Sequence, residues 1–278
     1  MPERAAFDAQ DCALRFAGSG ARLFLDAADN RAAFLIRKRG VSQHALYDAW
    51  TGILDALRPE AILDIGANYG EMFLPRRIPP GCALHLYEAN PRLLPFLERS
   101  CAAHPDAPSL RAFGVGVSDR AGLLRFHADL KWSGTSSFDF RSPDGAYKGA
   151  GEAAFLEVEV PTTTLDAAIA ALPGPAGRIA VKLDTEGHEP RVLAAAGSLA
   201  GRRFALVMEA HPGHLARAGS TPGALLRQAA TLGAMFRVTP EGRFAPLGPE
   251  ARPGPCDILV TNDEAVLAHA RERSAPEG

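Results

Sequence analysis

Short apolar strands alternating with helical stretches predict an α/β protein with a mostly parallel sheet, helices on both faces and an antiparallel hairpin at its C-terminal edge. Three observations carry this expectation. Residues 61–65 are an apolar run, interrupted only by Asp64, that ends in the glycine turn Gly66-Ala67-Asn68-Tyr69-Gly70. Residues 82–87 repeat the pattern and end in Glu88. Residues 178–184 and 204–208 repeat it again, each followed by acids and histidines.

Composition narrows the class. The 278 residues carry a formal net charge of −2 and a pI near 6.5. Neither nucleic acid nor an anionic membrane is expected as a partner. Cys12, Cys82, Cys101 and Cys256 are scattered, so a disulfide framework or zinc knuckle is not expected, and buried reduced thiols are. Residues 1–11 are mixed and charged, without an apolar signal core. No apolar run reaches the ~18 residues that span a bilayer. These features place the chain in the cytoplasm, and they leave its oligomeric state open.

Residues 1–60 read as an extension ahead of the organising strand. Residues 12–16 and 22–26 flank Ala17-Gly18-Ser19-Gly20 as a hairpin. Ser42 is a candidate cap for a helix over 43–57, with Leu46, Trp50, Ile53 and Leu57 on one face. Residues 61–262 read as the main domain and 263–278 as a tail frayed from Arg271. After the glycine turn a short helix is expected over 71–77, stopped by Ile78-Pro79-Pro80-Gly81. Its free N–H groups would face a ligand. Asn90-Pro91 opens the next helix, to about 104, and 109–117 is a strand. Residues 128–154 form a long polar inserted loop containing Trp132 and Phe138, suited to a substrate part apolar and part polar. Helices follow at 191–201 and 221–232, then a hairpin at 236–244 and a last strand at 257–261.

The turn Asp64-Ile65-Gly66-Ala67-Asn68-Tyr69-Gly70 has asparagine where a dinucleotide fold has its second glycine, which disfavours a nicotinamide cofactor. Glu88 lies about 20 positions on, at a strand tip, where a carboxylate accepts both hydroxyls of a ribose. Asp119, in the turn after the third strand, is placed to meet an adenine amine or to bond its own backbone. Lys182-Leu183-Asp184-Thr185-Glu186-Gly187-His188-Glu189 and Glu209-Ala210-His211-Pro212-Gly213-His214 bring further acids and histidines to the same sheet edge.

The series Ile62 to Gly70, Tyr87-Glu88-Ala89-Asn90-Pro91, Gly116-Val117-Ser118-Asp119, Thr164-Leu165-Asp166 and Val181 to Glu189 resembles the FkbM family of methyltransferases over about residues 50–262. The Lys-x-Asp-x-Glu-Gly-x-Glu string is that family's most distinctive signature. The resemblance implies a Rossmann-like class I fold with a seven-stranded, mostly parallel sheet. It implies S-adenosyl-L-methionine (SAM) as donor and mostly O-methylation of sugar, glycan or secondary-metabolite hydroxyls. Carried onto this chain, it puts the methionyl end of SAM at Asp64, Gly66, Asn68 and Gly70. It puts the ribose at Glu88, the adenine at Asp119 with Ser118 nearby, and the reacting methyl beside Asp184. Glu-Ala-Asn-Pro departs from the family's more usual Glu-Pro-Asn-Pro, and His188 falls at a variable position.

A hydroxyl acceptor benefits from a base that takes its proton. Asp184, His188, Glu209 and His211 are the candidate catalytic residues. His188 is preferred because a free imidazole titrates closest to neutrality, at ~6.5. Glu186 and Glu189 read as caps for the following helix. No residue is assigned to a metal, although Asp184, Glu209 and His211 would form an oxygen-rich divalent site if they converged. A nicotinamide-dependent oxidoreductase and a non-catalytic SAM-binding protein are the alternatives.

Overall fold

The computed structural model describes residues 4–139 and 155–274. Strands β1 (Ala6–Asp8), β2 (Ala13–Arg15) and β3 (Arg22–Phe24) form a small antiparallel sheet. Helices α1 (Asn30–Arg37) and α2 (His44–Leu57) follow. Then come β4 (Ala61–Ile65), β5 (Ala83–Tyr87), α3 (Leu94–Ala102), β6 (Leu110–Phe113), β7 (Gly116–Ser118), β8 (Gly122–Asp129) and β9 (Phe155–Thr164). The chain continues through α4 (Leu165–Ala170), β10 (Arg178–Leu183), α5 (Glu189–Leu193), β11 (Arg203–Ala210), α6 (Pro212–Arg217) and α7 (Pro222–Ala230). It ends in β12 (Ala234–Val238), β13 (Phe244–Pro246), β14 (Cys256–Thr261) and α8 (Glu264–Glu272).

The central sheet runs β13-β12-β14-β11-β10-β4-β5-β6. The pairs β11·β10, β10·β4, β4·β5 and β5·β6 are parallel, while β14, β12 and β13 pair antiparallel at one edge. This is the expected Rossmann-like α/β arrangement and edge hairpin, with eight strands among the described residues rather than seven, because β13 adds an outer rung. Strand order reverses between β4 and β10: the chain runs outward through β5 and β6, then returns to the other side of β4. The C-terminal ends of β4 and β10 therefore border a crevice where ligands bind in such sheets.

Strand alternation divides the core. Ala61, Leu63 and Ile65 of β4, with Ile179, Val181 and Leu183 of β10, face one apolar cluster; Ile62 and Ala180 face the other. The second cluster also takes in Leu14, Trp50 and Phe73, so the segment before residue 61 shares the main core. Helix α8, where the sequence reads as a tail, buries Val266 and Ala270 and packs on α2.

Other local differences have plain causes. Residues 71–76 form turns instead of a helix, because Pro75 lacks the N–H a continuing helix requires. The third strand splits at Gly114: β6 stays in the central sheet, and β7 joins β9 and β8 in a separate one. Helix α1, with Asp29 as its cap, has no strong sequence signal. Of the expected loop 128–154, residues 140–154 lie outside the described residues. Among the described residues no helix is long and apolar enough to cross a membrane.

Candidate functional site

A cavity of about 390 Å³ opens over the C-terminal ends of β4, β5, β10 and β11. Its floor is the turn after β4. Gly66 takes φ +72° and Asn68 φ +51°, both left-handed. Gly66 has no alternative there, since a Cβ on it would come within 1.8 Å of the Asp184 carbonyl oxygen. The bend turns the Asn68 N–H toward Glu88 Oε2 at 2.7 Å, and Glu88 Oε1 accepts from Asn90 N–H at 2.7 Å. Burial raises the Glu88 carboxyl to about 7 against these two donors.

Beside the turn, Lys182 Nζ donates to the Gly66 carbonyl at 3.0 Å and lies 3.4 Å from both Asp64 and Asp184. Burial opposes the lysine's charge, but Asp184 and Asp64 outweigh it and hold its pKa above the ordinary value. Asp64 is 1% exposed and lies beneath Lys182 rather than on the cavity wall. It supports the lysine, where the resemblance implied contact with the cofactor. Gly70 also stays off the wall: its missing Cβ admits the Leu74 and Leu97 side chains.

At β11 the wall carries Glu209, Glu186 and His214. His214 Nδ1 lies 2.8 Å from Glu186 Oε2 and 3.4 Å from Glu209 Oε2. Burial works against a charged ring, yet the two carboxylates outweigh it and raise the His214 pKa well above the ordinary imidazole value. Burial in turn raises both carboxyls toward neutrality, with His214 opposing. Glu186, expected as a helix cap, faces the cavity because φ +56° turns it away from α5. Glu189 fills the capping role, accepting from Thr185 and Gly187 N–H.

The two histidines named from the sequence lie elsewhere. His188 is buried off the cavity wall, with Nε2 2.9 Å from Ser118 Oγ and Nδ1 2.6 Å from Asp139. Its ring packs against Phe138, which lies between it and the cavity. His211 caps α6 through Nδ1 and stacks on the His214 ring at 3.9 Å. Ser118 and Asp119 also miss the wall; Asp119 pairs with Arg191 at 3.3 Å. Gly116 and Val117 line it in their place, near Phe126 and Phe138. The suggested metal set of Asp184, Glu209 and His211 does not converge. Among the described residues, Glu186, Glu209 and His214 bring ligand atoms within 4.8 Å of one another.

The roof comes from the segment before residue 61 and from the start of the inserted loop, which the sequence suggested for the substrate through Trp132. Arg31 and Phe34 of α1, Gln43 and Leu46 near α2, and Trp132 to Ser136 all line it. Phe34 meets Trp132 edge to face at 5.6 Å, and Asn30 N–H donates to the Lys131 carbonyl at 2.9 Å. No motif marks Arg31 or Phe34, because their role depends on where two distant segments meet.

The model of the methyltransferase FkbM domain matches residues 64–233. The chain belongs to the FkbM methyltransferase family. SAM is accordingly its cofactor, and the nicotinamide alternative falls away. The fold is similar to that of an FkbM methyltransferase from Methylobacillus flagellatus KT, at 15% identity and TM-score 0.41, over 72% of this chain and 43% of that one. This chain therefore spans less than half the length of that protein. It is also similar to a putative O-methyltransferase from Klebsiella pneumoniae (8% identity, TM-score 0.44, 80% and 81% covered). A third similar structure is the O-methyltransferase TomG from Streptomyces achromogenes, solved with SAM (13%, 0.42, 86% and 91%). No curated protein matches the sequence.

The residues of this FkbM-family chain fit such a cofactor. The turn at Gly66 leaves a cradle that a side chain would fill, and Glu88 offers a carboxylate at the cavity wall. The Arg31 Nε is buried with no partner among the described residues, which leaves a donor for an incoming acceptor.

Proposed function

We propose that this protein methylates a hydroxyl of a small sugar, glycan or secondary-metabolite acceptor, with Glu209 as the base. Bound SAM supplies a methyl group already activated on a sulfonium. The chain must then hold the acceptor oxygen in line, exclude water and take up a proton.

The observation carrying this reading is the Glu186–His214–Glu209 cluster on the wall of the same cavity as Glu88. Glu88 follows β5 and Glu209 lies on β11, three strands away in the order β11-β10-β4-β5. That is about 14 Å across the sheet. Glu88 would hold the ribose, as the sequence suggests. Gly66 and Asn68 would carry the methionyl end, and Gly116 and Val117 the base. Asp184, at the end of β10, falls between Glu88 and Glu209. The acceptor would lie under Trp132 against Glu209.

Glu209 suits proton removal because burial brings its carboxyl toward neutral pH, near the working range of a general base. His214 holds its ring between the two carboxylates and keeps Glu209 oriented. A small-molecule or glycan acceptor is consistent with a partly open cavity of this size. We further read residues 61–262 as the catalytic unit, with the segment before it supplying the roof.

Incubation with methyl-labelled SAM and a panel of polyhydroxylated acceptors tests the reading. Label on an acceptor oxygen, lost in Glu209→Gln, supports it. Tight SAM binding without transfer to any acceptor would favour a non-catalytic SAM-binding protein.

A further inference from the structure

Arg31 lies outside the residues matched by the family model, yet its side chain forms part of the cavity wall. Its Nη2 donates to Glu71 Oε1, forming a part-buried ion pair. Glu71 directly follows Gly70, so this pair stands over the turn that floors the site. The guanidinium has more donors than Glu71 uses, and its Nε is buried without a partner. Lys182 has no comparable capacity, because Gly66, Asp64 and Asp184 already surround its ammonium.

The position of Arg31 is fixed in advance. Asp29 caps α1 by accepting from Arg31 N–H at 2.9 Å. The same carboxylate accepts from the Tyr69 hydroxyl at 2.8 Å and from Ser133 N–H at 3.2 Å. The start of α1 is thus tied to both the glycine turn and the Trp132 loop. A side chain held this way loses little freedom when it binds a ligand.

The methionyl end of SAM carries a carboxylate and an ammonium on one carbon. A guanidinium beside a carboxylate offers the complementary pair of charges. With the ribose at Glu88, the methionyl end comes to the Gly66 turn and therefore beneath Arg31 and Glu71. We propose that Arg31 binds the cofactor's α-carboxylate, while Glu71 receives its α-ammonium. This inference rests on the SAM-site reading given above. It makes the N-terminal segment part of the cofactor site rather than a cover over it.

Calorimetric titration of the full chain with S-adenosylhomocysteine and with its decarboxylated analogue tests the assignment. The wild type should bind the carboxylate-bearing compound roughly 10- to 100-fold more tightly, the range of one charged hydrogen bond. Arg31→Gln should abolish that ratio while leaving affinity for the decarboxylated compound within about twofold. Arg31→Lys, which keeps a point charge but loses the fork, should retain part of the ratio and serves if Arg31→Gln does not fold. A ratio unchanged in both variants overturns the proposal and assigns Arg31 to the roof or to an acidic acceptor. Equal weakening of both compounds also overturns it, showing a structural role. Equal wild-type affinity for the two compounds refutes the carboxylate contact alone. A wild type that binds neither refutes the SAM site and this proposal together.

Discussion

The carbonyl oxygen of Asp184 stands against Gly66 so closely that a Cβ built on the glycine would lie 1.8 Å from it. This contact joins the loops that follow β4 and β10, and so joins the cofactor turn to the acidic signature strand. Two left-handed residues outside glycine, Asn68 and Glu186, lie on these same two loops. Conformations of this kind persist where surrounding contacts over-determine them.

Gly66→Ala should therefore damage both loops at once. The added methyl meets backbone, which cannot swing aside, and φ +72° is itself unfavourable for an L-residue by about 1–2 kcal/mol. We expect a lower melting temperature and at least a tenfold loss of SAM affinity. Calorimetry on the folded fraction checks this, and unchanged affinity would remove the turn from the site.

Glu88 gives a pH signature. Burial raises its carboxyl to about 7 from an ordinary 4.5. With the ribose placed at Glu88 as proposed, its hydroxyls would donate to the ionised form, so SAM affinity should fall as pH drops below 7, by up to tenfold per unit. Glu88→Gln should bind roughly tenfold or more weakly and lose this pH dependence. The ligand-free protein should behave in the opposite sense. Because the folded carboxyl holds its proton more tightly than the unfolded one, this group's contribution to stability is fully present below about 4.5 and is lost as pH rises from there through about 7.

Glu209→Gln should lower kcat by ~10²- to 10⁴-fold with SAM affinity preserved, as expected for a base that touches the acceptor. In the wild type, burial raises Glu209 toward neutrality, so kcat should decline as pH falls through that region. A variant with near-normal turnover across the pH range would take Glu209 out of the proton transfer.

His188 should behave as a packing residue. Both ring nitrogens are engaged, by Ser118 and Asp139, and the ring lies against Phe138 at 4.8 Å. His188→Ala should cost about 1–3 kcal/mol of stability through the unmade hydrogen bonds. Turnover per folded molecule should stay near normal. Denaturant titration paired with kcat separates these effects, and a large kcat loss at full stability would restore His188 as a catalytic candidate.

Lys182→Met should be among the most destabilising changes, at about 3–5 kcal/mol, because it strands the buried Asp64 carboxylate. Adding Asp64→Asn should recover part of the loss. If the double variant is no more stable than the single, the pair is not coupled as its geometry indicates.

Sequence alone determined the sheet class, the glycine turn, Glu88 at a strand tip and the acids at the ends of β10 and β11. These features are local: apolar periodicity sets the strands, and chain direction in a parallel sheet carries their ends to one edge. Tertiary structure decided which of those edge residues face the cavity. His188 and His214 are both histidines beside strand ends, but one is held by Ser118 and Asp139 off the cavity wall and the other meets Glu186 and Glu209. Asp64 and Asp184 flank the same lysine, yet only Asp184 reaches the wall. Arg31 had no motif at all, since its place depends on Asp29 being tied to Tyr69 and Ser133, which lie far away in the chain. Periodicity encodes which side of a strand is buried; the direction of a loop side chain depends on contacts between distant segments, and no local pattern records those.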